Sequence, residues 1–180
     1  MKIFRISLGI IFILNACNSA PKTVAVNDLP AKPVALQIPS NILYADIDPF
    51  ISVKGMTTRE VTTLFEQMLT ADQQYRDSLN HGNKQNEALY LKKMVANDEA
   101  NLKILDKIVQ EFGWPEIDTF GAKAAETAWL IIWHQRGKRH ILCKYFDLME
   151  SAVARKQMNA ASFNQIKDTI EQLSPDQVVY

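Results

Sequence analysis

Downstream of residue 55 the apolar side chains recur every third or fourth position, which is the spacing of one face of an α-helix. Glycines at positions 55, 82, 113, 121 and 137 separate the periodic stretches. Thr57-Thr58-Arg59-Glu60 has the form of a capping box, with Thr57 as N-cap and Glu60 three residues on. A first helix is therefore expected over about 58–79 and a second over about 85–112, with the NHGN run at 80–83 as the loop between them. Gly113 falls where a left-handed residue ends a helix, and Pro115 forbids continuation. Three more helices are expected over about 122–135, 138–157 and 160–173. Because no alternating strand pattern of useful length follows residue 55, the pattern predicts an all-α fold, a single bundle of about five helices with short connections.

The third helix, with Ala128-Trp129-Leu130-Ile131-Ile132-Trp133, is apolar all round and should be surrounded by the others. Its neighbours each show one apolar face: Ile141, Leu142, Tyr145, Leu148 or Met149, and Ala152 on the fourth helix, Phe163, Ile166, Ile170 and Leu173 on the fifth. In the first helix the inward stripe is Val61, Leu64, Phe65, Met68, Tyr75 and Leu79. At about 100° per residue Asp72 lies within about 20° of Val61 and Phe65, and Arg76 follows one turn later. The second helix is read as a stripe of Leu91, Met94, Val95, Leu102, Leu105, Ile108, Val109 and Phe112, with Asp98 in its middle and Asn101 aligned with Met94. A buried carboxylate without a partner is costly, so these groups should meet partners or line a wet cleft. Two readings stand: a structural network holding helix register, or a polar pocket in the bundle.

His134 ends the buried helix and would complete an acid/base or metal-ligand set beside Asp72 or Asp98. A histidine bonded to a helix-end carbonyl is the plainer alternative. His81 lies in a polar loop, His140 precedes a mixed face, and Cys143 sits among Ile141, Leu142, Tyr145 and Phe146 as a small half-buried residue. Arg136, Lys138, Arg139 and Lys144 read as a solvated face. No phosphate loop, dinucleotide fingerprint, H-E-x-x-H helix or nucleophile elbow occurs, so neither cofactor nor metal is expected.

The first 55 residues differ in kind. Lys2 and Arg5 precede the apolar run Ile6 to Leu14, which has the length of a secretory h-region and is too short to span a bilayer. Leu14-Asn15-Ala16-Cys17 resembles the bacterial lipobox, with Asn15 a departure from the usual small side chain. The resemblance implies a lipoprotein signal peptide over 1–16 and lipidation of Cys17, several acyl chains on one residue giving stable membrane anchorage. Asn18, rather than Asp, favours the outer membrane, with the domain in the periplasm. Five of the seven prolines precede residue 50, so 17–55 is expected to be a largely non-helical tether, and 56–180 the helical domain. Its apolar parts around Ile42-Leu43-Tyr44 and Pro49-Phe50-Ile51 are candidates for docking on the domain.

Twenty Lys and Arg balance twenty Asp and Glu, and loss of Lys2 and Arg5 with a signal peptide leaves 18 basic against 20 acidic side chains. That balance excludes nucleic acid as the natural partner. With Cys17 lipidated, Cys143 would be a lone free thiol.

At the stripe-breaking residues the chain resembles an uncharacterised all-helical bacterial domain family found in secreted and lipoprotein-like proteins. The resemblance rests on Asp72-Gln73-Gln74-Tyr75-Arg76 (D-x-x-x-R), Asp98-Glu99-Ala100-Asn101 with Leu102 (D-x-x-N), Gly113-Trp114-Pro115, Gly121, Trp129 to His134 (W-x4-H) and Asp168. It implies a shared polar centre of Asp72, Arg76, Asp98, Asn101, Trp114 and His134. Two departures are that Asp168-Thr169 stands where the family has Asp-Arg, and that its Gln-x-Tyr-Gly-Thr-Gln tail is not present. The expectation is a lipid-anchored periplasmic module binding a ligand or partner through that centre. The alternatives are an enzyme, perhaps a hydrolase, using His134 with Asp72 or Asp98, and a structural envelope protein.

Overall fold

In a computed structural model the described residues are 46–82 and 84–173. The signal peptide, the lipobox with Cys17, Ile42-Leu43-Tyr44 and the last seven residues lie outside them. The elements are α1 (Thr58–His81), a 3₁₀ turn (Lys84–Asn86), α2 (Glu87–Phe112), α3 (Ile117–Phe120), α4 (Ala122–Trp133), α5 (Arg139–Ala154) and α6 (Ala160–Gln172). The described residues contain no strand, and the all-α bundle is as expected. The single turn α3 is additional, being too short to show a period.

Local chemistry sets the ends. The Glu60 amide donates to Thr57 Oγ1 (3.3 Å) and the Thr57 amide to Glu60 Oε2 (2.7 Å), closing the capping box. The Thr57 backbone bond, then its hydroxyl, holds the Glu60 carboxyl below the usual carboxylate range. After Gly113, at φ 78°, the chain leaves α2. α5 stops at Ala154 rather than near 157, because Lys156 turns left-handed at φ 61° and the Gln157 amide donates back to Ala152 O (2.8 Å). α4 stops at Trp133, two residues early, where the Gln135 amide bonds to Ile132 O in a tighter turn.

α4 is central, touching each of the other five helices. Its Ala124, Ala125 and Ala128 admit close neighbours, and Ile131 and Ile132 are buried. Met68, Ile104, Ile108, Leu142, Tyr145, Met149 and Ile166 complete one continuous core.

α1 and α2 form a long antiparallel hairpin, and here α2 departs from expectation. Leu91 and Val95 are exposed, at 43% and 51%, and the buried line runs through Tyr90, Asn97, Asn101, Ile104 and Ile108. Asp98 is consequently at the flank of the inward face rather than in its middle. On α5 the wall is Met149, with Leu148 38% exposed. Cys143 is exposed instead of half-buried.

The stretch just ahead of α1 is docked. Ile47, Ile51, Val53 and Met56 join the core, and Lys107 Nζ donates to the carbonyls of Pro49 (2.8 Å) and Ile51 (3.0 Å). Asp46 accepts from Tyr75 Oη (2.9 Å) and from Lys93, bonds that hold its carboxyl below the ordinary range against the opposing effect of burial. Ile51 thus docks as expected while Phe50 points out, and the folded domain extends ahead of the 55/56 boundary.

Candidate functional site

Asp72 lies on the inner face of α1 because the Val61–Tyr75 stripe carries it there, and only 1% of it is exposed. Arg76 follows one turn later. Its Nη2 donates to both oxygens of Asp98 on α2 (2.9 and 2.7 Å), while Nη1 stands 3.4 Å from Asp72 Oδ1 and donates to the Asp72 carbonyl. His134, the C-cap of α4, donates from Nε2 to Asp72 Oδ2 (3.1 Å). Gln73 donates to the same oxygen. Three helices therefore meet through one chain of polar side chains: Asp98, Arg76, Asp72, His134.

The cluster is graded in depth. The Asp72 side chain is 1% exposed, those of Asp98 and His134 are 14% and that of Arg76 is 17%, so solvent reaches the upper three. Burial is the largest influence on Asp98 and pushes its carboxyl up despite the Arg76 guanidinium. The Asp72 charge works in the same direction, and His134 opposes it weakly.

Asp72, Arg76, Asp98 and His134 are thus brought together, but the other two expected members are elsewhere. Asn101 is fully buried one turn deeper in the hairpin, where Nδ2 donates to Met68 O (3.0 Å) and clamps the two helices. Asn97, which the misphased stripe passed over, does the same to Ala71 O (2.9 Å). Its signal was the alternation of three and four residues through Tyr90, Met94, Asn97, Asn101, Ile104 and Ile108. Trp114 is not part of the centre. It lines a cleft together with Thr58, which is 14 residues, or about 21 Å of helix, from Asp72.

His81 is exposed and hydrogen-bonded one turn back to Asp77 O (3.2 Å), and His140 is exposed. Among the described residues no group of three or more His, Cys, Asp or Glu is arranged to hold a metal ion, Arg76 occupying the space between the two aspartates. None of their helices is long and apolar enough to cross a membrane. Comparison with protein-family models, with curated proteins and with solved structures finds no match.

Proposed function

We propose that the chain is a lipid-anchored module of the bacterial cell envelope whose helical domain binds a polar ligand or partner through Asp72, Arg76, Asp98 and His134. The graded exposure of the cluster carries the binding half of this reading. A network serving helix register alone has no need to stand at the surface, whereas here a guanidinium, a carboxylate and an imidazole edge face solvent above a fully buried aspartate. The lipid half rests on the Leu14–Cys17 motif and its apolar approach. Asp98→Asn tests the first half: a melting temperature near that of the parent supports a binding role. A loss of several kcal/mol, the cost of breaking a buried ion pair, supports a structural network. Globomycin-sensitive processing and palmitate labelling, both abolished in Cys17→Ser, test the second.

The His134–Asp72 contact favours one other reading, a hydrolase. Asp72 would orient the ring through Nε2 and leave Nδ1, which makes no hydrogen bond to the described residues, as the acid/base position. A turnover of p-nitrophenyl acetate that exceeds that of His134→Gln is the expected mark of this alternative. Equal rates in the two proteins would dismiss it.

A further inference from the structure

Trp129 and Trp133 stand one turn apart on α4, the spacing that brings two side chains of a helix together. Their rings are stacked, 5.9 Å between centres and 16° from parallel. Trp129 Nε1–H donates to Ser162 O on α6 (2.9 Å), which fixes that ring. Arg136 continues the series, its guanidinium carbon over the Trp133 ring at 5.4 Å from the centre. A cation over an indole is attracted by the ring quadrupole, so the stack already holds one positive group beyond Trp133.

The Trp129 end is open. Trp129 lines a cleft of about 270 Å³, and the other α4 residues in its walls, Ala122, Ala125 and Glu126, all precede it, whereas Trp133 follows it. The cleft therefore lies on the side of Trp129 away from Trp133. Ala125 and Met158, both buried, give it apolar walls. Glu126 is exposed in it and makes no hydrogen bond or ion pair with the described residues. Lys123, one turn back, is paired instead with Glu66 of α1 (3.8 Å).

The chemistry of the walls selects the ligand. An anion is poorly served: the start of α6 borders the cleft, but Asn159 Oδ1 already accepts from the Ala161 (2.8 Å) and Ser162 (3.2 Å) amides. A primary ammonium brings three N–H donors and would meet a single carboxylate. A methylated ammonium carries its charge without donors, and an aromatic face, an apolar wall and one counter-charge are what it needs.

We infer that this cleft binds a quaternary ammonium group, its methyl shell against the Trp129 ring and its charge beside the Glu126 carboxylate. The site shares no residue with the charged cluster and does not depend on that reading.

Choline is the probe, and dimethylbutanol, its carbon isostere without the charge, is the control. The full chain is titrated at constant chloride, choline replacing sodium. The three tryptophans give three indole N–H resonances, and Trp129→Phe identifies the one concerned. The Trp129 resonance should move and saturate with choline while that of Trp114 stays in place, and dimethylbutanol should produce no such shift. Glu126→Gln, a change at an exposed and unpaired position, should melt with the parent and weaken choline by about threefold or more. A Trp129 resonance that does not saturate, that responds equally to dimethylbutanol, or that titrates unchanged in Glu126→Gln would overturn the assignment.

Discussion

At the end of the bundle where α4 stops, two aspartates, an arginine and a histidine from three helices are bonded in sequence. At the other end, where α1 starts, the Trp114 indole is buried among aromatic rings and its N–H bonds to nothing. The charged end spends nearly all its polar capacity on itself, and its exposed surface is what remains after mutual pairing. The aromatic end has one unspent donor. The first end depends on Arg76, the one cation shared by both aspartates, while the second tolerates loss of the donor but not of the ring. The same core can therefore hold one end that is stabilised by its own bonds and another whose polar demand is left open.

Substitutions separate the two ends. The largest effect is expected for Arg76→Met, which leaves Asp72 and Asp98 without their shared cation and should cost about 3–5 kcal/mol in chemical denaturation. Adding Asp98→Leu should return part of that loss. Trp114→Ala should cost a similar amount, about 3–5 kcal/mol, through the cavity it leaves. Trp114→Phe, by contrast, should cost clearly less than Trp114→Ala, the loss coming from the smaller ring and not from the N–H, which had no partner. A loss as large as that of Trp114→Ala would mean that the indole donor is satisfied after all and the two ends are alike.

Next in size is the dependence on pH. The Asp98 carboxyl is raised, so the native state binds its proton more tightly than the unfolded chain does. Its contribution is full below the unfolded value and declines as pH rises through the folded one. Asp46 and Glu60 are lowered and act in the opposite sense, stabilising above their unfolded values and losing that effect on acidification. Asp98→Asn should therefore make unfolding free energy fall more steeply as the solution is acidified from about pH 6 to about pH 4, near the ordinary carboxylate range. A slope equal to that of the parent would place the Asp98 carboxyl in an ordinary environment. Smaller again, Thr57→Ala should cost about 1 kcal/mol by removing the cap at the start of α1. Smallest, Lys156→Gly should stabilise by up to about 1 kcal/mol, relieving a left-handed non-glycine residue where α5 ends.

Much of the charged end was legible in the chain because α1 is a clean amphipathic helix. Seven buried positions from Val61 to Tyr75 keep one phase, and Asp72 stands out against it. α2 was harder. Leu91 and Val95 are apolar yet exposed, so they drew the apparent stripe towards themselves and hid Asn97, since an apolar side chain on a helix is not obliged to be buried. Trp114 had been placed with the charged residues through a resemblance between motifs. Its position follows from the turn at Gly113 and from helices that meet it only in three dimensions. Periodicity records which face of one helix is inward; it does not record which end of the bundle a loop residue reaches.

The docked stretch from Asp46 to Met56 also sets a radius of action. If Cys17 carries the lipid proposed above, 28 residues lie between it and Asp46, a contour of about 100 Å at full extension. Were the whole stretch to undock, giving up its core contacts and the Lys107 bonds to Pro49 and Ile51, that contour would lengthen by roughly a third. Packing of Ile47, Ile51, Val53 and Met56, with Lys107 and the Asp46 bonds beside it, therefore fixes the point from which any tether is measured.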